Sequence, residues 1–213
     1  MQKNKVAETS SKKIYQKGFR KYGINYRSLA WKTKDAQMVR FRELLKDLDL
    51  DGKSILDFGC GMGDIIPYIM ELSDRFEYKG VDIVTEFIDV ARRAYITRKQ
   101  FRKIPQVKFF VRDLLKKPFK EKFDIVLCSG ALNSNLNDAV RYRKCAIKIL
   151  WDHTKEVLAF NMAGAHPQPT NSKNSRIYYT DSLKILKYCM KLTPKVIFRN
   201  SYRKKDFTIQ MFR

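Results

Sequence analysis

Histidine and cysteine are scarce in this chain of 213 residues, and the few present are poorly spaced for a metal. There are two histidines, His153 and His166, and four cysteines, Cys60, Cys128, Cys145 and Cys189. No two cysteines form a CxxC pair and neither histidine stands at a ligand spacing beside one, so no metal centre is expected. Reduced thiols fit a reducing compartment. No apolar run approaches the roughly 20 residues that span a bilayer. The start, Met-Gln-Lys-Asn-Lys, lacks the apolar segment of a secretory signal. These absences point to a soluble, cytoplasmic protein.

Acid is the other shortage. Asp and Glu number 22 against 44 Lys and Arg, which gives a net charge of +22 and a pI near 9.9. Such a field attracts RNA, DNA and anionic membrane surfaces. The basic residues run from Lys3 to Arg213, with clusters at 12–13, 98–103, 116–122 and 203–205. A solvated basic surface and a polyanion-binding surface therefore both stand as readings.

What the chain has in quantity is material for a core: 44% hydrophobic residues, with 14 Phe and 11 Tyr. Its length fits one domain, or one domain with a terminal extension. We divide it into a basic, aromatic N-terminal segment, 1–32, and a domain, 33–213. The N-terminal segment reads as an amphipathic helix or a lid. From Thr33 a helix pattern runs through Phe41, Leu44, Leu45 and Leu48. Strands are predicted at 54–58, 78–83, 107–111, 123–129 and 157–161, and helices at 65–72, 85–97 and 138–152 between them. Gly164, Pro167 and Pro169 predict a loop over 162–176. A helix over 180–192 and two strands, 196–201 and 207–212, close the chain. Strands alternating with helices imply a parallel sheet, and the short last connection implies an antiparallel pair. The fold class is α/β: a mostly parallel seven-stranded sheet with one antiparallel strand and helices on both faces.

The chemistry concentrates at the strand ends. Ile55-Leu56-Asp57-Phe58-Gly59-Cys60-Gly61-Met62-Gly63-Asp64 is a strand ending in an acid, followed by glycines at alternate positions. Glycine lets the backbone approach a ligand without a Cβ in the way, and ligands of open α/β sheets bind beyond the carboxyl ends of the strands. The spacing is GxGxG, not the GxGxxG of dinucleotide sites. A tight turn with no ligand is the plainer alternative. The second strand ends at Asp82, 25 residues past Asp57. A carboxylate there can accept both ribose hydroxyls of an adenosine, or serve only as a helix N-terminal acid. After the third strand come Asp113, suited to an adenine amino group, and Leu114, whose backbone amide suits the ring.

The Asp-x-Gly-x-Gly-x-Gly turn, Gly80-Val81-Asp82-Ile83, Arg112-Asp113-Leu114 and Phe123-Asp124-Ile125-Val126 together resemble the ordered motifs of the Rossmann-like S-adenosylmethionine-dependent methyltransferases, over about residues 54–133. The flanks are similar to a narrower bacterial subgroup of unsettled substrate. They include Arg20-Lys21-Tyr22-Gly23, Ala30-Trp31-Lys32, Gln37, Arg40-Phe41, Ser129-Gly130-Ala131-Leu132-Asn133, Ala159-Phe160-Asn161 and Asp206-Phe207-Thr208-Ile209. The resemblance implies S-adenosylmethionine as cofactor and no binding of NAD. It implies that Asp57, Gly59, Cys60, Gly61 and Gly63 cradle the methionine end, Asp82 and Ile83 the ribose and adenine edge, and Asp113 and Leu114 the adenine. Ser129 is expected near the methyl group. The fourth-strand motif departs from the Asn-Pro-Pro-Tyr or Asp-Pro-Pro-Tyr of enzymes that methylate amino groups of nucleic acids, which weakens a base-amino-group acceptor.

Methyl transfer from a sulfonium needs alignment and exclusion of water, and a base only if the acceptor must lose a proton. The loops after the fourth and fifth strands offer Asn133, Asn161 and His166 as catalytic candidates. Asn133 and Asn161 equally suit caps or turns, and His166 a solvated loop. Tyr22, Trp31 and Tyr178 are candidates for the lid or substrate wall, with 17–31 expected to fold over the pocket. Three functions follow: methylation of a small molecule, to which dispersed charge leans; methylation of RNA or another polyanion; and cofactor binding without catalysis.

Overall fold

The computed structural model describes residues 2–97 and 106–213, with side chains described for 11–96 and 106–213. The basic cluster at 98–103 lies outside the described residues. Among the described residues no helix is long and apolar enough to cross a membrane.

The chain opens with helix α1 (Gln2–Tyr22), a 3-10 turn (Tyr26–Leu29) and α2 (Lys34–Leu45). The Thr33 side chain caps α2 by accepting the Ala36 amide at 3.1 Å. Then strands and helices alternate: β1 (Lys53–Phe58), α3 (Ile66–Met70), β2 (Phe76–Asp82), α4 (Thr85–Arg92), β3 (Gln106–Val111) and β4 (Phe123–Ser129). After these come α5 (Ala139–Asp152), β5 (Thr154–Ala165), the two-residue β6 (Thr180–Asp181), α6 (Ser182–Cys189), β7 (Val196–Arg199) and β8 (Asp206–Phe212). The sheet order is β3-β2-β1-β4-β5-β8-β7, with β6 paired to β5 off that path. β8 runs antiparallel to both neighbours, and every other neighbouring pair is parallel.

Period-two alternation fills both faces of the sheet. Leu56, Val126, Cys128, Leu158 and Phe160 pack against α5 and α6 through Ala146, Ile147, Leu150 and Ile185. Ile55, Ile125, Leu127 and Ala159 face the other way, onto Phe41, Leu44, Ile66, Ile69 and Ile88. This two-sided burial is why β4 reads as a continuous apolar run.

Several predicted boundaries are corrected. The 162–176 loop begins only after Ala165, because Met162 and Ala163 pair with Phe207 and Asp206 of β8. Gly164 marks a close approach, not a turn: a Cβ there would stand 2.4 Å from the Thr180 carbonyl oxygen and 2.9 Å from the Phe207 ring. The helix predicted over 180–192 is split, since Thr180 and Asp181 join β5 before Asp181 caps α6 through the Leu183 and Lys184 amides. The helix predicted over 85–97 turns π-helical at Arg93–Thr97. The helix predicted to Leu48 stops at Leu45, and Asp47 takes a left-handed φ of 61°. The sheet has an eighth, very short strand beyond the seven predicted.

Because the atom facing Gly164 is backbone, it has little freedom to withdraw. Gly164→Ala is expected to cost about 1–3 kcal/mol, read as a lower urea midpoint at unchanged slope. A midpoint equal to wild type would refute the close-approach reading.

Candidate active site

The carboxyl ends of β1, β2, β3 and β4 open into one cavity of about 1360 Å³. Asp57 is 3% exposed and its Oδ2 accepts the Tyr78 hydroxyl at 2.6 Å. Burial pushes its carboxyl up to about 7, against the opposing pull of that hydrogen bond. At the end of β2, Asp82 accepts the Val84 amide at 2.9 Å and the Gly61 amide at 3.0 Å. Burial pushes this carboxyl up to about 6, with both amides acting the other way. Asp113, at the end of β3, accepts the Leu115 amide at 3.1 Å and sits 3.4 Å from Lys116. A fourth acid, Asp64, lies in the same wall and takes the Gln37 amide nitrogen at 2.8 Å; burial raises it too.

The glycine turn is closely packed. Gly59 has φ +73°, and a Cβ on it would stand 2.3 Å from the Ala131 Cβ. Gly61 has φ +55°, and a Cβ there would meet a Leu29 methyl at 2.8 Å. Only glycine fits both the conformation and the space.

A methyltransferase domain model matches residues 49–176, more than half of the chain. The chain belongs to the methyltransferase domain family. It is 30% identical over 97 residues to a methyltransferase-type protein, 235L, of Invertebrate iridescent virus 6; the match covers 45% of this chain and about a third, 33%, of the viral protein. Solved structures agree in fold. Magnesium protoporphyrin IX methyltransferase from Synechocystis PCC 6803, solved with bound SAH, superposes with a TM-score of 0.65 at 17% identity, covering 99% of each chain. The N-methyltransferase NodS from Bradyrhizobium japonicum WM9 gives 0.61 at 12% identity over 94% of this chain and 98% of that one. The Rossmann-like methyltransferase fold is therefore that of this chain.

In this methyltransferase domain, ten of the candidates from the sequence line the cavity: Asp57, Gly59, Cys60, Gly61, Asp82, Ile83, Asp113, Ser129, Asn133 and Trp31. Cys60 is buried there, and desolvation drives its thiol well up. Six other candidates lie apart from it. Gly63 turns toward Tyr95. Leu114 is wholly buried and Leu115 takes the wall instead. Asn161, also fully buried, takes the Ser129 hydroxyl at 3.3 Å and donates to the Arg40 carbonyl at 3.2 Å, which makes it a strut. His166 stands out in solvent, 3.3 Å from the helix-capping Asp181. Tyr178 packs on Arg143 with 4.9 Å between guanidinium and ring, while Tyr179 lines the cavity. Tyr22 is exposed, with Lys21 over its ring. Of the three catalytic candidates only Asn133 reaches the cavity, and its Oδ1 accepts the Ala163 amide at 2.8 Å.

The N-terminal segment covers one side. Tyr15 and Phe19 of α1 meet Phe87 edge-on at 6.3 and 5.8 Å. Leu29 packs on the glycine turn, and Trp31 lies 3.0 Å from where a Gly130 Cβ would stand, with Arg40 stacked on it at 4.7 Å. Ser11, Tyr15, Leu29 and Trp31 all face the cavity. Sequence reasoning missed Tyr15, Asp64 and Tyr179 as wall residues and gave Gln37 and Arg40 no role. The last two sit at i and i+3 on α2, one face of a helix.

Asp57 binds its proton more tightly in the folded chain than in the unfolded one, where the pKa is about 3.9. Its burial therefore costs stability progressively as pH rises from about 4 to about 7. Asp57→Asn removes that titration and can still accept from Tyr78. Without ligand, its melting temperature relative to wild type should climb between pH 4.5 and pH 8. A difference that stays constant with pH would mean the carboxyl is ionised throughout.

Proposed function

We propose that this methyltransferase domain binds S-adenosylmethionine and transfers its methyl group to a small-molecule acceptor held in the same cavity. The observation that carries this is the cavity itself. Its volume of about 1360 Å³ exceeds the roughly 300–1,000 Å³ of a single-ligand site, and strand-end carboxylates line the same space as the N-terminal segment.

The residues present fit this cofactor. Gly59 and Gly61 bring main chain in the left-handed conformation to the cavity wall, held there by Ala131 and Leu29 behind the turn. Asp57, Asp64 and Asp82 all have carboxyls raised by burial, so a ligand carrying positive charge relieves an unfavourable arrangement. Asp57 and the turn at Gly59, Cys60 and Gly61 would hold the methionine end. Asp82 and Ile83 would hold the ribose, Asp113 with the neighbouring Leu115 wall the adenine, and Ser129 would border the reacting end. When bound, S-adenosylmethionine supplies a methyl group on a positively charged sulfur that leaves as a neutral thioether. The chain's part is alignment and exclusion of water. Trp31, Leu29 and Tyr15 supply the cover, and Asn133 a polar point on the acceptor wall. Neither histidine lines the cavity: His153 is held by the Ile149 and Phe119 carbonyls, and His166 lies beyond the wall.

A second reading, RNA or another polyanion as acceptor, draws on the +22 charge. Its mark is methyl transfer that weakens steeply with rising salt. A third, cofactor binding without catalysis, fails once the labelled methyl group moves to any acceptor.

Asp82→Ala is expected to weaken binding of S-adenosylhomocysteine by roughly tenfold or more, at about 1.5–3 kcal/mol for each charge-assisted hydrogen bond lost. Calorimetry on a variant with a cooperative melt checks it, and unchanged affinity would reject the ribose assignment. Deleting residues 1–31 should reduce cofactor affinity or turnover by more than it lowers the melting temperature. A truncated protein with normal affinity and turnover would show that the segment is no lid.

A further inference from the structure

The cavity is electrically lopsided. Around the ends of β1, β2 and β3 it carries Asp57, Asp64, Asp82 and Asp113, with Arg112 and Lys116 beside the last of these. Around the far end of β5 it carries Lys32, Arg40, Arg203, Lys204 and Lys205, with Asp206 as the one carboxylate among them.

Strand register puts those cations there. Ala163 of β5 pairs with Asp206 of β8, and the Gly164 amide donates to the Lys205 carbonyl at 3.0 Å. The polar turn of residues 203–205 is thereby held against the carboxyl end of β5, where Asn133 also docks by accepting the Ala163 amide. Asp206 is 4% exposed and accepts from Arg40 at 2.5 Å and Arg203 at 2.9 Å. One carboxylate is thus shared by two guanidiniums, and the Arg40 ring contact with Trp31 fixes that group further. Lys32, Lys204 and Lys205 have no carboxylate partner among the described residues. Lys205 instead stands 5.5 Å over the ring of Tyr179, another wall residue.

We propose that these three lysines seat an anionic group, phosphate or carboxylate, on the methyl acceptor. This rests on the methyltransferase reading above and adds to it the charge of the acceptor. Each end of the cavity then meets its opposite: carboxylates face the partly cationic cofactor, and ammonium groups face the acceptor's oxyanion. Lysines are compact point charges on flexible stems, suited to an oxyanion that needs no planar fork. Their exposure keeps the cost of desolvation small before the acceptor arrives.

The test is calorimetry with pyrophosphate as probe, on protein alone and on protein loaded with S-adenosylhomocysteine. Lys204→Glu with Lys205→Glu should weaken pyrophosphate binding by about tenfold or more. Lys187→Glu with Lys191→Glu, an equal charge change on exposed residues at and beyond the end of α6, should change it less than about twofold. Lys204→Gln with Lys205→Gln guards against misfolding: with a wild-type melting temperature it should still lose most of the binding. Equal losses in the two Glu pairs would reduce the effect to bulk charge and overturn the proposal, as would no pyrophosphate binding by wild type. S-adenosylhomocysteine should bind all variants alike. If it fails to bind wild type, the cofactor reading falls, while the pyrophosphate titration of the protein alone still decides the anion seat. A 5′-phosphorylated ribotrinucleotide separates the sources. Tighter binding than pyrophosphate, weakened by both Glu pairs but more by the Lys204 and Lys205 pair, identifies a polyanion; equal binding, weakened by the Lys204 and Lys205 pair alone, identifies a small acceptor. Either supports the seat.

Discussion

Parallel strands deliver their last residues to one edge only when their ladders are in step, and in this chain β1 sets the step for both sides. Asp57 lies opposite Gly80 of β2 and Leu127 of β4, so β2 runs on two residues further to Asp82 and β4 two further to Ser129. The ends of three strands thus form a shallow arc instead of a flat edge. Asp82 then closes the arc by holding the Gly61 and Val84 amides with its two oxygens. The glycine turn, the start of α4 and the floor of the cavity are all referred to that one carboxylate. Shifting β2 by one residue would put Asp82 on the other face of the sheet and leave the turn without its tie.

That arrangement concentrates negative charge where water is scarce. Asp57 and Asp82 are raised chiefly by burial, and Asp57 is raised further by its neighbours Asp82 and Asp64. Such a wall is costly without a cation, which is the expected condition of a site whose ligand completes it. At the opposite end the excess has the other sign and is met mostly at the solvent edge, where it costs little. The chain's overall positive charge is therefore no guide to its cavity, whose floor is acidic.

Legibility in the sequence followed regular structure. The strand ends were readable because alternation and burial on both faces leave little freedom in where a strand stops, so Asp57, Asp82, Asp113 and Ser129 were found. Irregular segments have no such period. Leu114 and Leu115 differ only in which way a loop residue points, as do Tyr178 and Tyr179, and in both cases the neighbour of the expected residue lines the cavity. β5 was cut short at Asn161 because Gly164 resembles a turn signal, whereas its role depends on Thr180 and Phe207, residues far along the chain. Gln37, Arg40 and Tyr15 carry no motif of their own. They matter through partners, Asp64, Asp206 and Phe87, that only the fold brings near.

The end of the cavity beside β5 is held by a different device from the end at the glycine turn. Arg143 is fully buried with no carboxylate partner among the described residues, and its guanidinium donates to the carbonyls of Ala139, Ser134 and Tyr178. Burial lowers its pKa to about 10, so it stays charged at neutral pH. A charge in that position is unfavourable by itself, and three carbonyl acceptors with the Tyr178 ring offset part of the cost. What the arrangement gains is a joint: the start of α5, the loop after β4 and the loop before β6 meet at one planar group. Ser134 and Ile177 pair across that joint as an isolated bridge, and Ser134, Asn135, Ile177 and Tyr179 form the wall beside it. Loops built from small polar residues rarely hold a fixed shape unaided. Here the shape of the wall beside β5 depends on a buried cation, just as the shape of the floor at the glycine turn depends on a partly buried anion.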